Sequence, residues 1–303
     1  MEFLYFLENI RFPLLDTLML YITQLGEETA FLAIALILFW CVDKYVGYFT
    51  LSVGFVGTLL NQFMKLLFRV PRPWVIDPEF TILEQAREAA SGYSFPSGHT
   101  QNAVGTFGSI AVATKNKWIR SIAVAVAILV PFSRMYIGVH TPADVLVAAV
   151  IALILVFTFK KIIFNKDKKY FCCLMAVMTL MAILFMCFVH FWPFPENIDL
   201  HNLESGVKNA YTLFGALLGL IVVYIVDEKW LHFPVKAVWW AQILKVVVGL
   251  ALVLAVKSGL SSPLSALFGA SVGRAVRYFL IVLVAGVLWP LSFKWFSRLS
   301  SRE

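Results

Sequence analysis

Ser133-Arg134-Met135-Tyr136-Ile137-Gly138-Val139-His140-Thr141-Pro142-Ala143-Asp144 stands between two long apolar runs, near residues 118–134 and 141–160. Runs of that length suit membrane-crossing helices, so this polar turn marks where the chain leaves the membrane and returns. Thr141 reads as a helix N-cap, with Pro142 at the first helical position and Asp144 at the third. His140 then lies just outside the helix mouth, four residues before a carboxylate able to receive its ring N–H. Arg134 closes the preceding run. A guanidinium, an oriented imidazole and free helix N–H groups suit a phosphate under attack by histidine. On this stretch alone a plainer reading is equally open: Asp144 only caps its helix, Arg134 snorkels, and His140 is a loop residue.

Composition carries the same message outward. The 303 residues are 60% hydrophobic and 14% charged, with a mean hydropathy of +0.83. A soluble domain has about 25% charged residues, so the sequence predicts an integral membrane protein. The net charge of +7 does not point to nucleic acid, because the cations sit at the ends of apolar runs. Cys41, Cys172, Cys173 and Cys187 fall in or beside those runs with no disulfide or zinc spacing, and read as buried free thiols. Met1-Glu2-Phe3 has no basic leader, so no removable signal peptide is expected.

The expected architecture is all-α, a multi-pass membrane helical bundle of about nine spans. They fall near 28–43, 45–67, 99–114, 118–134, 141–160, 170–192, 207–226, 237–256 and 276–293. Residues 3–25 carry Glu8, Arg11 and Asp16 and predict an N-terminal interfacial amphipathic helix interrupted near Pro13. Gly215/Gly219 and Gly269/Gly273 have the spacing of close helix packing. Lys245 lies inside the eighth run, where intramembrane charge suggests function and a displaced boundary or snorkelling is the alternative. His190, His201 and His232 read as interfacial or solvated.

Alternating the turns places fourteen of the 25 Lys and Arg on one side, including Lys160, Lys161, Lys166, Lys168, Lys169 and Arg302, and ten on the other. Positive-inside bias then puts the fourteen in the cytoplasm and the N-terminus outside. The run from Lys160 to Lys169 divides a front region, 1–165, from a back region, 166–303, of plainer spans.

Two further polar stretches fall on the outer face together with the first. Lys65 and Arg72 close the second span, and prolines on both sides of Arg72 stiffen its backbone for a fixed fork of donors. Ser94-Phe95-Pro96-Ser97-Gly98-His99-Thr100 opens the third, where a capping serine, a glycine and free N–H groups make an anion site. Each stretch alone is also explained by interfacial basic residues or by a helix cap, although a cap does not ask for histidine. Three fixed cations beside two histidines and a carboxylate would repel a metal ion and attract a phosphate.

Lys65-x6-Arg72-Pro73, Pro96-Ser97-Gly98-His99 and Ser133-Arg134-x5-His140-x3-Asp144 resemble, in order and in internal spacing, the three signature motifs of the type 2 phosphatidic acid phosphatase and vanadium haloperoxidase superfamily. The resemblance covers roughly residues 10–160, leaving 166–303 as additional transmembrane helices without an assigned role. It implies that His140 attacks phosphorus, that Asp144 orients His140, and that His99 protonates the leaving oxygen and later activates water. It further implies that Lys65, Arg72, Ser97, Gly98 and Arg134 bind the phosphate, with no metal or cofactor required. The outer-face location implies a lipid phosphate or diphosphate as substrate, its chains remaining among the membrane lipids: phosphatidic acid, phosphatidylglycerol phosphate, undecaprenyl diphosphate or a sphingoid phosphate. The rivals are a lipid phosphotransferase using the same intermediate, a haloperoxidase, and a non-catalytic transporter or scaffold. Oligomeric state is not legible.

Overall fold

A computed structural model describes residues 1–90, 92–165 and 167–299. Lys166 and Arg302, counted above for orientation, lie outside the described residues. Among these the regular structure is helical throughout. The helices are α1 (Glu2–Asn9), α2 (Pro13–Gln24), α3 (Glu28–Ile37), α4 (Lys44–Phe68), the short α5 (Pro73–Ile76), α6 (Gly98–Ala113), α7 (Lys117–Tyr136), α8 (Pro142–Ile163), α9 (Lys169–Phe191), α10 (Leu200–Val226), α11 (Trp239–Gly259), α12 (Ser261–Leu283) and α13 (Phe293–Leu299).

Seven helical stretches among the described residues are long and apolar enough to cross a membrane, or eight when α2 and the helix through Val42 are taken as one span bent by 55°. The chain is therefore an all-α, multi-pass membrane protein. The expected third span, 99–114, corresponds to α6 and is not among these candidates, because its 16 residues reach only about 24 Å against the ~30 Å of a hydrocarbon core. The last expected span starts earlier than predicted, at Ser261, because α12 is two helical pieces joined at Gly269, whose φ of 78° only glycine adopts freely.

The chain packs as two compact units. The first comprises Met1–Ile34, Phe49–Ile162 and Ile198–Leu203. Within it the N-terminal helices are more than an interfacial attachment. Arg11 Nε donates to the Tyr136 carbonyl at 3.0 Å and its NH1 to the Thr81 carbonyl at 2.9 Å. Tyr136 donates its hydroxyl to Asp16 at 2.7 Å. The polar residues of the expected interfacial helix thus bond to Thr81 and to the end of α7. Gly138 follows there with φ 87°, and a Cβ on it would lie 2.9 Å from Arg11 NH2.

The second unit comprises Ala35–Tyr48, Ile163–Asn197 and the chain from Glu204 onward. The α10 helix meets α12 at close range, since a Cβ on Gly215 would fall 2.0 Å from the Ala275 carbonyl oxygen and one on Gly219 2.8 Å from Val282. That pair behaves as expected, whereas Gly269 serves the bend rather than packing. Lys245 is fully buried, donating to the Val235 carbonyl at 2.9 Å and Gln242 at 3.1 Å and lying 4.2 Å from the Phe293 ring centre. It does not snorkel. The free cysteines depart from expectation: Cys172, Cys173 and Cys187 are exposed, because α9 turns them outward, and Cys41 is partly covered.

Candidate active site

Helix caps place the site. Thr141 and Asp144 form a reciprocal capping box at the start of α8: the Thr141 N–H donates to Asp144 Oδ2 at 2.7 Å and the Asp144 N–H to Thr141 Oγ1 at 3.3 Å. The α6 start is capped by Ser97, whose Oγ accepts from the Thr100 N–H at 3.4 Å. Backbone bonds tie the three motifs together. The Ser94 N–H reaches the Val70 carbonyl at 2.8 Å, and the Ser97 N–H reaches the Asp144 carbonyl at 3.1 Å. Asn61, one turn before Lys65 on α4, holds the Pro96 carbonyl at 3.1 Å.

The cap carboxylate also faces the histidine. Asp144 Oδ2 stands 3.4 Å from His140 Nδ1, and Ser94 donates its hydroxyl to the same oxygen at 2.6 Å while lying 3.4 Å from Nδ1 itself. On the far side of the ring, Arg72 NH1 is 3.0 Å from Nε2 and donates to the Val139 carbonyl at 2.9 Å. A guanidinium only donates, so Nε2 carries the lone pair and Nδ1 the proton. This is the tautomer that a nucleophilic Nε2 requires.

The cations are held by backbone oxygens and a hydroxyl. Arg72 Nε donates to the Gly92 carbonyl at 2.9 Å, and Lys65 Nζ to the Tyr93 carbonyl at 2.8 Å. Arg134 NH1 donates to Thr23 Oγ1 at 2.8 Å, while its buried Nε has no hydrogen-bond partner among the described residues. Arg72, Arg134, His140 and Asp144 are all at most 5% exposed. Burial, and after it the charges of Arg72, Arg134 and Lys65, hold the His140 imidazole well below its usual pKa of 6.5, because each disfavours the imidazolium. His99, in the first turn of α6, acts on His140 in the same direction.

The structure thus brings together Lys65, Arg72, Ser97, Gly98, His99, Arg134, His140 and Asp144. Gly98 keeps an open flank, for a Cβ there would meet nothing nearer than Asn61 Oδ1 at 3.7 Å. Sequence reasoning missed Thr23, Asn61, Ser94 and the Gly92–Tyr93 turn. Only Ser94 carried a signal, a second serine beside Pro96-Ser97-Gly98; the others are polar residues in ordinary positions whose partners lie far along the chain. Among the described residues, no three His, Cys, Asp or Glu side chains gather as a metal site would need.

A histidine–carboxylate pair facing buried cations in a multi-pass membrane protein defines a membrane enzyme acting on phosphate groups. Residues 44–168 match the PAP2 superfamily, and residues 211–302 match the PAP2 superfamily phosphatase transmembrane extension. The chain is 36% identical over 152 residues to undecaprenyl-diphosphatase BcrC of Bacillus subtilis (strain 168), covering 48% of this chain and 73% of that protein. It is 32% identical over 166 residues to phosphatidylglycerophosphatase B of the same organism, covering 50% and 76%. Over 249 residues it is 25% identical to sphingosine-1-phosphate phosphatase 1 of Rattus norvegicus, covering 78% and 57%. The chain belongs to the PAP2 superfamily and is a phosphatase.

Proposed function

We propose that the protein hydrolyses a lipid phosphate or diphosphate through a phosphohistidine on His140. The observation that carries this reading is the pairing of His140, with Nδ1 toward Asp144 and Ser94 and Nε2 toward Arg72. Nε2 attacks phosphorus, the P–O bond to the lipid breaks, and His99 gives its proton to the leaving oxygen. His99 then takes a proton from water, whose oxygen attacks phosphorus and breaks the P–N bond. Asp144 stabilises the imidazolium as it forms. Lys65, Arg72, the free Nε of Arg134, Ser97 and the Gly98 N–H bind the equatorial oxygens and their transition-state charge. These protein cations supply the neutralisation that a metal supplies elsewhere, so the reading needs none.

The named relatives act on phosphates carried by lipids, which supports the same substrate class here. Positive-inside bias supports a site on the outer face of the cytoplasmic membrane. Residues 1–165 do the chemistry in this account, and 166–303 shape lipid entry. Phosphate release from the purified protein, measured across phosphatidic acid, phosphatidylglycerol phosphate, undecaprenyl diphosphate and a sphingoid phosphate with chelator present, tests it. The expected outcome is chelator-resistant release from at least one, inhibited by vanadate. Release from none would favour a transporter or scaffold, and transfer of phosphate to an acceptor lipid would favour a phosphotransferase.

A further inference from the structure

The segment Ile198–Leu203 precedes and begins α10, yet it packs within the first unit. Neither family match covers it, the first ending at residue 168 and the second starting at 211. Asp199 and Asn202 on this segment grip the turn at Gly92 and Tyr93. The Tyr93 N–H donates to Asn202 Oδ1 at 3.0 Å, and Asn202 Nδ2 donates to Asp199 Oδ2 at 2.7 Å. The Asp199 N–H reaches the Tyr93 hydroxyl at 3.4 Å. Asp199 Oδ1 in turn accepts from the His201 N–H at 2.9 Å and the Asn202 N–H at 3.4 Å, which caps the start of α10. Gly92 has φ 81°, and a Cβ on it would lie 2.4 Å from Asn202 Oδ1. Both its conformation and the closeness of Asn202 therefore ask for glycine.

The peptide unit between Gly92 and Tyr93 is where the grip acts. Its N–H goes to Asn202, and its C=O receives Arg72 Nε at 2.9 Å. A peptide unit is planar and trans, so its N–H and C=O point in opposite directions. Fixing one edge aims the other. The next carbonyl along, that of Tyr93, receives Lys65 Nζ at 2.8 Å. Lys65 and Arg72 are long side chains with many rotamers, and these carbonyls help fix where both point, together with the Val139 carbonyl that receives Arg72 NH1.

We propose that Asn202 is a positioning residue for the phosphatase reaction: through the Gly92–Tyr93 peptide it keeps Arg72 and Lys65 aimed at the substrate phosphate. The proposal rests on the phosphate-binding roles given to those two cations above. It gives a segment outside the three motifs, and beyond residue 165, a positioning part in addition to shaping lipid entry, although it touches no reacting atom.

Inorganic phosphate, used as a competitive inhibitor of p-nitrophenyl phosphate hydrolysis, reads the cation geometry directly. Asn202→Ala should weaken phosphate inhibition by up to about tenfold, the scale of one hydrogen bond lost. In an Arg72→Ala, Lys65→Ala background, where hydrolysis is too slow to read, phosphate binding measured by calorimetry should weaken by less than about twofold on adding Asn202→Ala, because residues acting through one another are not additive. The exchange Asp199→Asn with Asn202→Asp keeps an acceptor for the Tyr93 N–H and reverses the bond between the two side chains, so it should restore inhibition to within about threefold of the parent. Asn202→Ser reads the same way if the alanine variant does not accumulate. Unchanged inhibition in Asn202→Ala or Asn202→Ser, or an equal loss in both backgrounds, would overturn the proposal. If Lys65→Ala and Arg72→Ala themselves leave phosphate inhibition unaltered, the phosphate-binding reading fails instead.

Discussion

Both faces of the His140 ring are committed: Asp144 and Ser94 lie at Nδ1, and Arg72 lies at Nε2. The identity of the pair was legible in Ser133–Asp144, because Thr141-Pro142-Ala143-Asp144 marks a helix start that holds a carboxylate near the preceding histidine. The role of Ser94 was not, since its one local signal, a second serine beside Pro96-Ser97-Gly98, does not show that its hydroxyl reaches Asp144. Burial and three nearby cations hold His140 below its usual pKa of 6.5, which sets a pH dependence. In the proposed reaction the neutral ring is the nucleophile, and it protonates only when pH falls through that lowered pKa. The rate of phosphoenzyme formation, corrected for ionisation of the substrate, should therefore persist as pH falls through about 6.5, the ordinary histidine value. An acid limb at or above that pH would show that the cations and the burial do not act on His140 as described.

At the level of helices, the caps of α6 and α8 and most span positions followed from Ser97, from Thr141-Pro142 and from the lengths of the apolar runs. The fate of residues 3–25 did not. Glu8, Arg11 and Asp16 have the spacing of an interfacial helix, and their true partners, Thr81 and the end of α7, are distant in sequence and carry no periodic signal. The joint between α7 and His140 depends on Gly138, which has a positive φ and meets Arg11 NH2 and Phe80 at close range. Gly138→Ala should destabilise the protein by roughly 1–3 kcal/mol. Thermal unfolding in detergent measures this, and the variant should also lower turnover, because the same turn carries Val139 and His140. A variant as stable and active as the parent would mean that the turn tolerates a side chain.

Across the whole molecule, charge bias is what supports an outer-face site, and it is modest because several cations on the poorer side belong to the proposed phosphate-binding cluster. The shortness of α6, at 16 residues, explains why the expected number of spans exceeded the candidates among the described residues. Single cysteines placed at Glu84 and Asn165 should separate the two faces in intact cells. An impermeant thiol reagent is expected to label position 84 and spare 165, and the reverse would invert the topology. The deeper claim is that three motifs, from Lys65 on α4 to Asp144 on α8, converge so that His140 becomes the phosphorylated group and His99 moves the protons. Single-turnover hydrolysis of an aryl phosphate tests it most directly, because an aryl oxide leaves with little help from an acid. His99→Ala should release one equivalent of phenolate and then stall by about 10²–10⁴-fold, the contribution of a general acid–base group, whereas His140→Ala should release none. A burst in His140→Ala with none in His99→Ala would contradict the account.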